Sequence, residues 1–330
     1  MIAPYYARLA CLGFASFFLL HLMLAWAARG LLPAVLRAAE KMRPAAAANL
    51  LVLLGVAPAG LSALAVLGIV VPAYLWLEPG VEHEAVGPVC GVAAVLGFAL
   101  LAESGVRAAR ACRATARRLG ELRQAGHEMV VGQERAWVVD CHQPLFGVIG
   151  IRAPRLVVSR AVLEALPADQ FDLAVRHETA HRLAGDNLKR LLLLAAPGCL
   201  PLTGAWRGWL RHWCFFAERA ADARAVEGLP ERSVALAEGL VRLARLGSAP
   251  AADAALYTPL IQDPSQLASR VEYLLRPPGA EPAVPGWWPA AGASLGALGL
   301  VLATRFPHML RAVHELLEEL LALNFFYDLW

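Results

Sequence analysis

Five consecutive residues, His177-Glu178-Thr179-Ala180-His181, hold the densest chemistry in the chain. On a helix, positions four apart stack on one face, so both imidazoles can address a single cation. Glu178 then lies beside them, placed to take a proton from a water at that cation. This H-E-x-x-H spacing is the one zinc peptidases use, with two histidine ligands and a glutamate general base. Catalytic zinc takes three protein ligands and leaves a fourth position for water, so the third must come from a later helix. Glu218, in Ala217-Glu-Arg-Ala-Ala-Asp222, is the best candidate. Asp222 follows it at i+4 and can accept a proton from the distal nitrogen of a ligand histidine, which fixes the tautomer. Asp186, five residues after His181, is a second candidate for that support. The competing reading of Glu218 and Asp222 is a surface ion-pair network with Arg219 and Arg224. The upstream motif favours the metal.

The chain that must position these groups is built for lipid. Hydrophobic residues make up 58% of its 330 residues and charged residues only 17%, with a mean hydropathy of +0.51. Soluble domains are about 45–50% apolar and about 25% charged. A net charge of +3 supplies no global basic field, so direct nucleic-acid binding is not expected. The six cysteines form no CxxC pair and read as reduced, partly buried thiols. Four stretches reach the length needed to cross hydrocarbon, roughly 9–28, 48–76, 85–102 and 285–304.

Charges between these stretches set an orientation. Arg29, Arg37, Lys41 and Arg43 lie between the first two, and only Glu78, Glu82 and Glu84 between the next two. Arg107, Arg110, Arg113, Arg117, Arg118 and Arg123 follow the third. Basic loops stay cytoplasmic, so the N-terminus is expected outside and the segment carrying His177 inside. The arginines at helical spacing predict that the third span continues as a helix out of the bilayer, its basic face on anionic headgroups. His21, inside the first span, is expected to be a neutral imidazole bonded to a neighbouring helix. Strand-like runs at 128–132, 136–141, 146–151 and 155–159 precede the motif. The expected fold is mainly α: a polytopic membrane protein with a small-sheet α+β, zincin-like cytoplasmic metalloprotease domain. Its divisions are three spans over 1–106, the metalloprotease domain over 107–280, a fourth span over 281–305 and an amphipathic tail over 306–330. The apolar interval 191–210 contains Pro197 and Pro201. As a full span it would put Glu218 across the membrane from His177, so it must dip or re-enter.

Together these features resemble the M56 peptidases, the membrane metalloprotease family of the β-lactam receptors. The likeness runs over nearly the whole chain. It rests on three spans, HExxHxxxxD from His177 to Asp186, ExxxD from Glu218 to Asp222 and a final span. The Pro154-Arg-Leu-Val-Val-Ser159 run and Arg270-Val-Glu-Tyr-Leu-Leu275 resemble further family elements. The related M48 peptidases share both metal motifs, and three spans before HExxH favour M56. The chain departs from the receptors after residue 305, where only 25 residues stand in place of a penicillin-binding sensor.

The resemblance implies one Zn2+, a bacterial inner-membrane location, and cleavage of a cytoplasmic protein such as a transcriptional repressor in signal transduction. Self-cleavage and a homodimer are compatible with it. On this reading Glu178 is the general base, and the donor to the tetrahedral oxyanion is open among Arg270, Tyr257 and His212. Substrate backbone is expected to add to an edge strand, for which 155–159 is the candidate. The alternatives are a quality-control protease of M48 type and a non-catalytic signalling scaffold, against which an intact Glu178 and a full ligand set speak.

Overall fold

The computed structural model describes residues 5–77, 86–131, 134–141, 144–198, 206–247, 256–259 and 264–276, with 308, 311–313 and 315–316 of the tail. The expected fourth span lies outside the described residues. Three described helical stretches are long and apolar enough to cross a membrane: Tyr5–Ala39, Pro44–Leu77 and Pro88–Ala125. The first is α1 (Tyr5–Ala39). The second is α2 (Pro44–Ala65), continued through a π-helical turn at Val66–Val70 into α3 (Val71–Leu77). The third is α4 (Pro88–Ala125). Pro44 and Pro88 stand in the first turns of α2 and α4, where the missing N–H costs nothing. Large apolar side chains such as Met23, Leu53, Leu64, Leu67, Val95 and Phe98 are exposed on these helices, as lipid contact requires. Their inner faces share one cluster around Leu12, Phe17, Phe18, Tyr74 and Leu100, which Val313 of the tail also joins.

At 38 residues and about 1.5 Å per residue, α4 is about 57 Å long and far exceeds the hydrocarbon thickness of about 30 Å. It leaves the apolar region as one helix, as the arginine spacing predicts, and runs straight into β1 (Gly126–Val131). Arg107 is not left to headgroups: it pairs with Glu103 at 2.8 Å and donates to the carbonyls of Leu194 and Ala196.

The expected strands appear as β1, β2 (Glu134–Val139), β3 (Phe146–Ile149) and β4 (Arg155–Ser159), joined by an unexpected β5 (Tyr257–Pro259). Their order is β1-β2-β4-β3-β5, with β2 and β4 parallel and all other neighbours antiparallel. Strand 155–159 is therefore internal, between β2 and β3, and cannot be the edge that accepts a substrate. Beyond it come α5 (Arg160–Ala165), α6 (Ala168–Ala184), α7 (Asp186–Ala195), α8 (Trp206–Val226), α9 (Pro230–Arg245) and α10 (Pro264–Leu275). One face of the sheet packs on α6, α8, α9 and α10 through Val138, Val148, Val158, Leu173, Ala225 and Leu240.

The interval 191–210 is no single span. α7 has 10 residues, about 15 Å of helix, and ends before Pro197; α8 begins at Trp206. Both dock on α2: Trp209 Nε1 donates to the Leu51 carbonyl at 2.7 Å, and Leu193 and Trp213 join Ala47 and Leu51 in one cluster. Gly55 permits this approach, since a Cβ there would lie 2.6 Å from Trp209 Nε1 and 2.7 Å from Leu193 Cδ2. Gly198, between the two helices, accepts from His21 Nε2 at 2.9 Å. The described chain after α7 thus reaches the buried histidine of α1.

Candidate metal centre

α6 presents His177 and His181 one turn apart, both buried. It ends at Gly185, whose left-handed φ of 68° favours glycine. The chain turns there, so Asp186, in the first turn of α7, comes back to 2.7 Å from His181 Nδ1. α8 crosses α6 and delivers Glu218 and Asp222. Asp222 Oδ1 lies 2.9 Å from His177 Nδ1. Each histidine thus has its own carboxylate on Nδ1, and each Nε2 is turned inward.

The two inward nitrogens are 3.1 Å apart. Glu218 completes a triangle, with oxygens 3.4 Å from His177 Nε2 and 3.6 Å from His181 Nε2. Once a cation displaces the Nε2 protons, a proton kept on each Nδ1 beside its carboxylate leaves both Nε2 lone pairs free to face the ion. A tetrahedral ion with bonds of about 2.0–2.1 Å has ligand–ligand edges of about 3.3–3.4 Å. The three separations lie close to that figure, the two from Glu218 through different oxygens, and the buried His177, His181 and Glu218 group can hold a metal ion.

Arg270, on α10 and 4% exposed, grips both acids of α8. Its Nη1 lies 2.9 Å from Glu218, and its Nε and Nη2 donate to Asp222 at 2.9 and 2.6 Å. The guanidinium holds both carboxyls below their usual range despite burial. Burial lowers His177's proton affinity, but Asp222 outweighs it and raises the imidazole to about 9; His181 is raised for a similar reason, with Glu218 foremost. Burial pushes the Glu178 carboxyl up to about 7. Glu178 Oε2 accepts from the Val148 amide of β3 at 3.1 Å, and its buried Oε1 has no hydrogen-bond partner among the described residues.

Of the residues chosen from sequence, His177, His181, Glu178, Glu218, Asp222, Asp186 and Arg270 meet in this one place. Arg270, named from sequence as a possible oxyanion donor, is paired with both acids of α8. His212 faces a separate cavity of about 390 Å³ with His21 and Trp209. Tyr257 enters the site's surroundings through its backbone, paired with Ile149; its side chain lies outside the described residues. Sequence reasoning did not find the Val148 amide, nor Asn187, whose Nδ2 donates to the carbonyls of Val148 and Gly150 and pins β3 to α7. Adjacency to Asp186 is the only sequence signal Asn187 carries. No protein-family model, curated protein or solved structure matches the chain.

Proposed function

We propose that the chain is a membrane-embedded zinc endopeptidase that cuts a protein substrate at the cytoplasmic face of a bacterial inner membrane. The observation that carries this reading is the convergence of His177, His181 and Glu218 within one coordination shell, with the Glu178 carboxylate on the next residue of the same helix. Two histidines and a glutamate are one of the ligand sets of catalytic zinc, used by peptidases. When bound there, zinc acidifies a water and polarises the scissile carbonyl.

The chain's own residues do the rest. Glu178, held near neutral proton affinity and anchored through Oε2, presents Oε1 to take the water's proton and pass it to the leaving amine. Asp222 and Asp186 hold the two imidazoles in the tautomer that turns Nε2 inward. Arg270 keeps Glu218 ionised. A regulated cut in one cytoplasmic protein, such as a transcriptional repressor, fits the resemblance to the β-lactam-receptor proteases.

Zinc analysis of detergent-purified protein tests the centre. Wild type is expected to carry close to one zinc per chain, Glu218→Ala to lose it, and Glu178→Gln to retain it while peptide hydrolysis falls by about 10²–10⁴-fold. Full zinc occupancy in Glu218→Ala would remove this residue from the ligand set and with it the peptidase reading.

A further inference from the structure

Beside Glu178 the structure contains a second feature that the metal chemistry does not use. A cavity of about 310 Å³ opens between α6 and the leading ends of β2 and β4, bordered by Glu178, Thr179, Arg182, Glu134, Arg135 and Arg155. Its volume is at the lower end for ligand pockets, room for one long side chain and its water. Glu178 and Arg182 lie one helical turn apart, so the cavity begins at the general base and runs outward along the helix.

Its charge is uneven. Arg182 and Glu134 neutralise each other at 2.5 Å. Arg155 is 3.6 Å from Glu128, with both side chains about half exposed at 45% and 49%, a pairing that water screens to little. Arg135 is exposed and has no acidic partner among the described residues. Two guanidiniums are thus left at the rim, each able to grip a carboxylate with two parallel donors. The Glu178 carboxyl at the inner end keeps an incoming acid at the rim and away from the reacting atoms.

We propose that this cavity receives an Asp or Glu side chain of the polypeptide substrate, next to the bond that is cut. The assignment rests on the peptidase reading for its place beside the scissile bond, but not for its binding chemistry. A lysine or arginine at the same substrate position would meet two like charges, so the pocket selects against basic residues as well as for acidic ones.

The test uses the full-length, zinc-loaded protein in detergent. A randomised peptide library is digested and the residues flanking each cut are read by mass spectrometry. In parallel, fluorescence anisotropy measures binding of an acidic peptide and its Glu→Gln counterpart to the Glu178→Gln variant. Expected are enrichment of Asp and Glu at one flanking position and about tenfold or greater weakening by the Glu→Gln change. The double variant Arg135→Glu/Arg155→Glu should bind zinc as wild type does and turn the preference toward Lys and Arg. Cleavage with no acidic preference overturns the pocket and leaves the peptidase standing. No cleavage, with acidic peptides still bound preferentially and that preference lost in the double variant, overturns the peptidase and keeps the pocket. Neither cleavage nor preference overturns both.

Discussion

Burial alone would leave His177 hard to protonate, yet with Asp222 against its Nδ1 the ring titrates at about 9. At neutral pH the metal-free ring is therefore charged, and a cation entering the site must expel its proton. Zinc affinity should rise by about tenfold or more per pH unit above pH 7, since His181 is raised as well, and level off once both rings are neutral. Competition with a fluorescent chelator measures this. Asp222→Asn removes the raising charge, so the levelling-off should move to lower pH. A profile unchanged by that substitution would mean that Asp222 does not set the ring's protonation. Arg270 makes a sharper case. Arg270→Ala would strand two buried carboxylates, and removing one partner of a buried ionic group costs about 3–5 kcal/mol. Its unfolding midpoint in detergent should fall steeply, whereas Arg270→Lys, which cannot reproduce the fork, should recover only part. At this scale the ligands were legible because helical spacing alone brings His177 and His181 together. Arg270 was singled out, but its pairing with the two acids was not legible, since nothing in a linear string says that a residue 48 positions after Asp222 will close on it.

Among the elements, α2 is tightly packed by its neighbours at Gly55. Gly55→Val would place atoms where Trp209 and Leu193 already lie, and such overpacking costs about 1–3 kcal/mol. Gly60, in the same helix with nothing near its missing Cβ, is the control: Gly60→Ala should be neutral or stabilise by about 0.5–1 kcal/mol. Thermal unfolding of both variants in one detergent distinguishes a packing site from a helix-propensity effect. Four strands and the helix carrying the histidines were readable from local alternation and spacing. The strand order was not: β4 reads like any short apolar strand, and its place between β2 and β3 is set by long-range pairing. β5 escaped notice because three residues, Tyr257-Thr258-Pro259, carry too little pattern. Yet β5 lies on the outer side of β3, the strand whose Val148 amide holds Glu178. A substrate that adds to this side of β3 must first displace it.

For the whole molecule, the apolar clusters do not respect a division between the long apolar helices and the part that carries the metal centre. Leu193, Trp213, Cys214 and Phe216 pack with Ala39, Ala47 and Leu51, and Leu194 with Ala111. A fragment cut to residues 107–276 would uncover these faces. It should aggregate without detergent or bind zinc weakly, as size-exclusion chromatography and metal analysis would show; a monodisperse, zinc-loaded fragment would contradict the packing described. Composition made the lipid-facing helices plain, but it could not reveal that α7 and α8 borrow the spans as part of their own core. The unbroken α4 has a mechanical corollary. With one end in the apolar layer and the other continuing as β1 without a joint, a tilt of a few degrees at the far end sweeps the sheet margin sideways by several ångströms, given its length of about 57 Å. Whatever leans on the Pro88 end of that rod is also leaning on the sheet that frames Glu178.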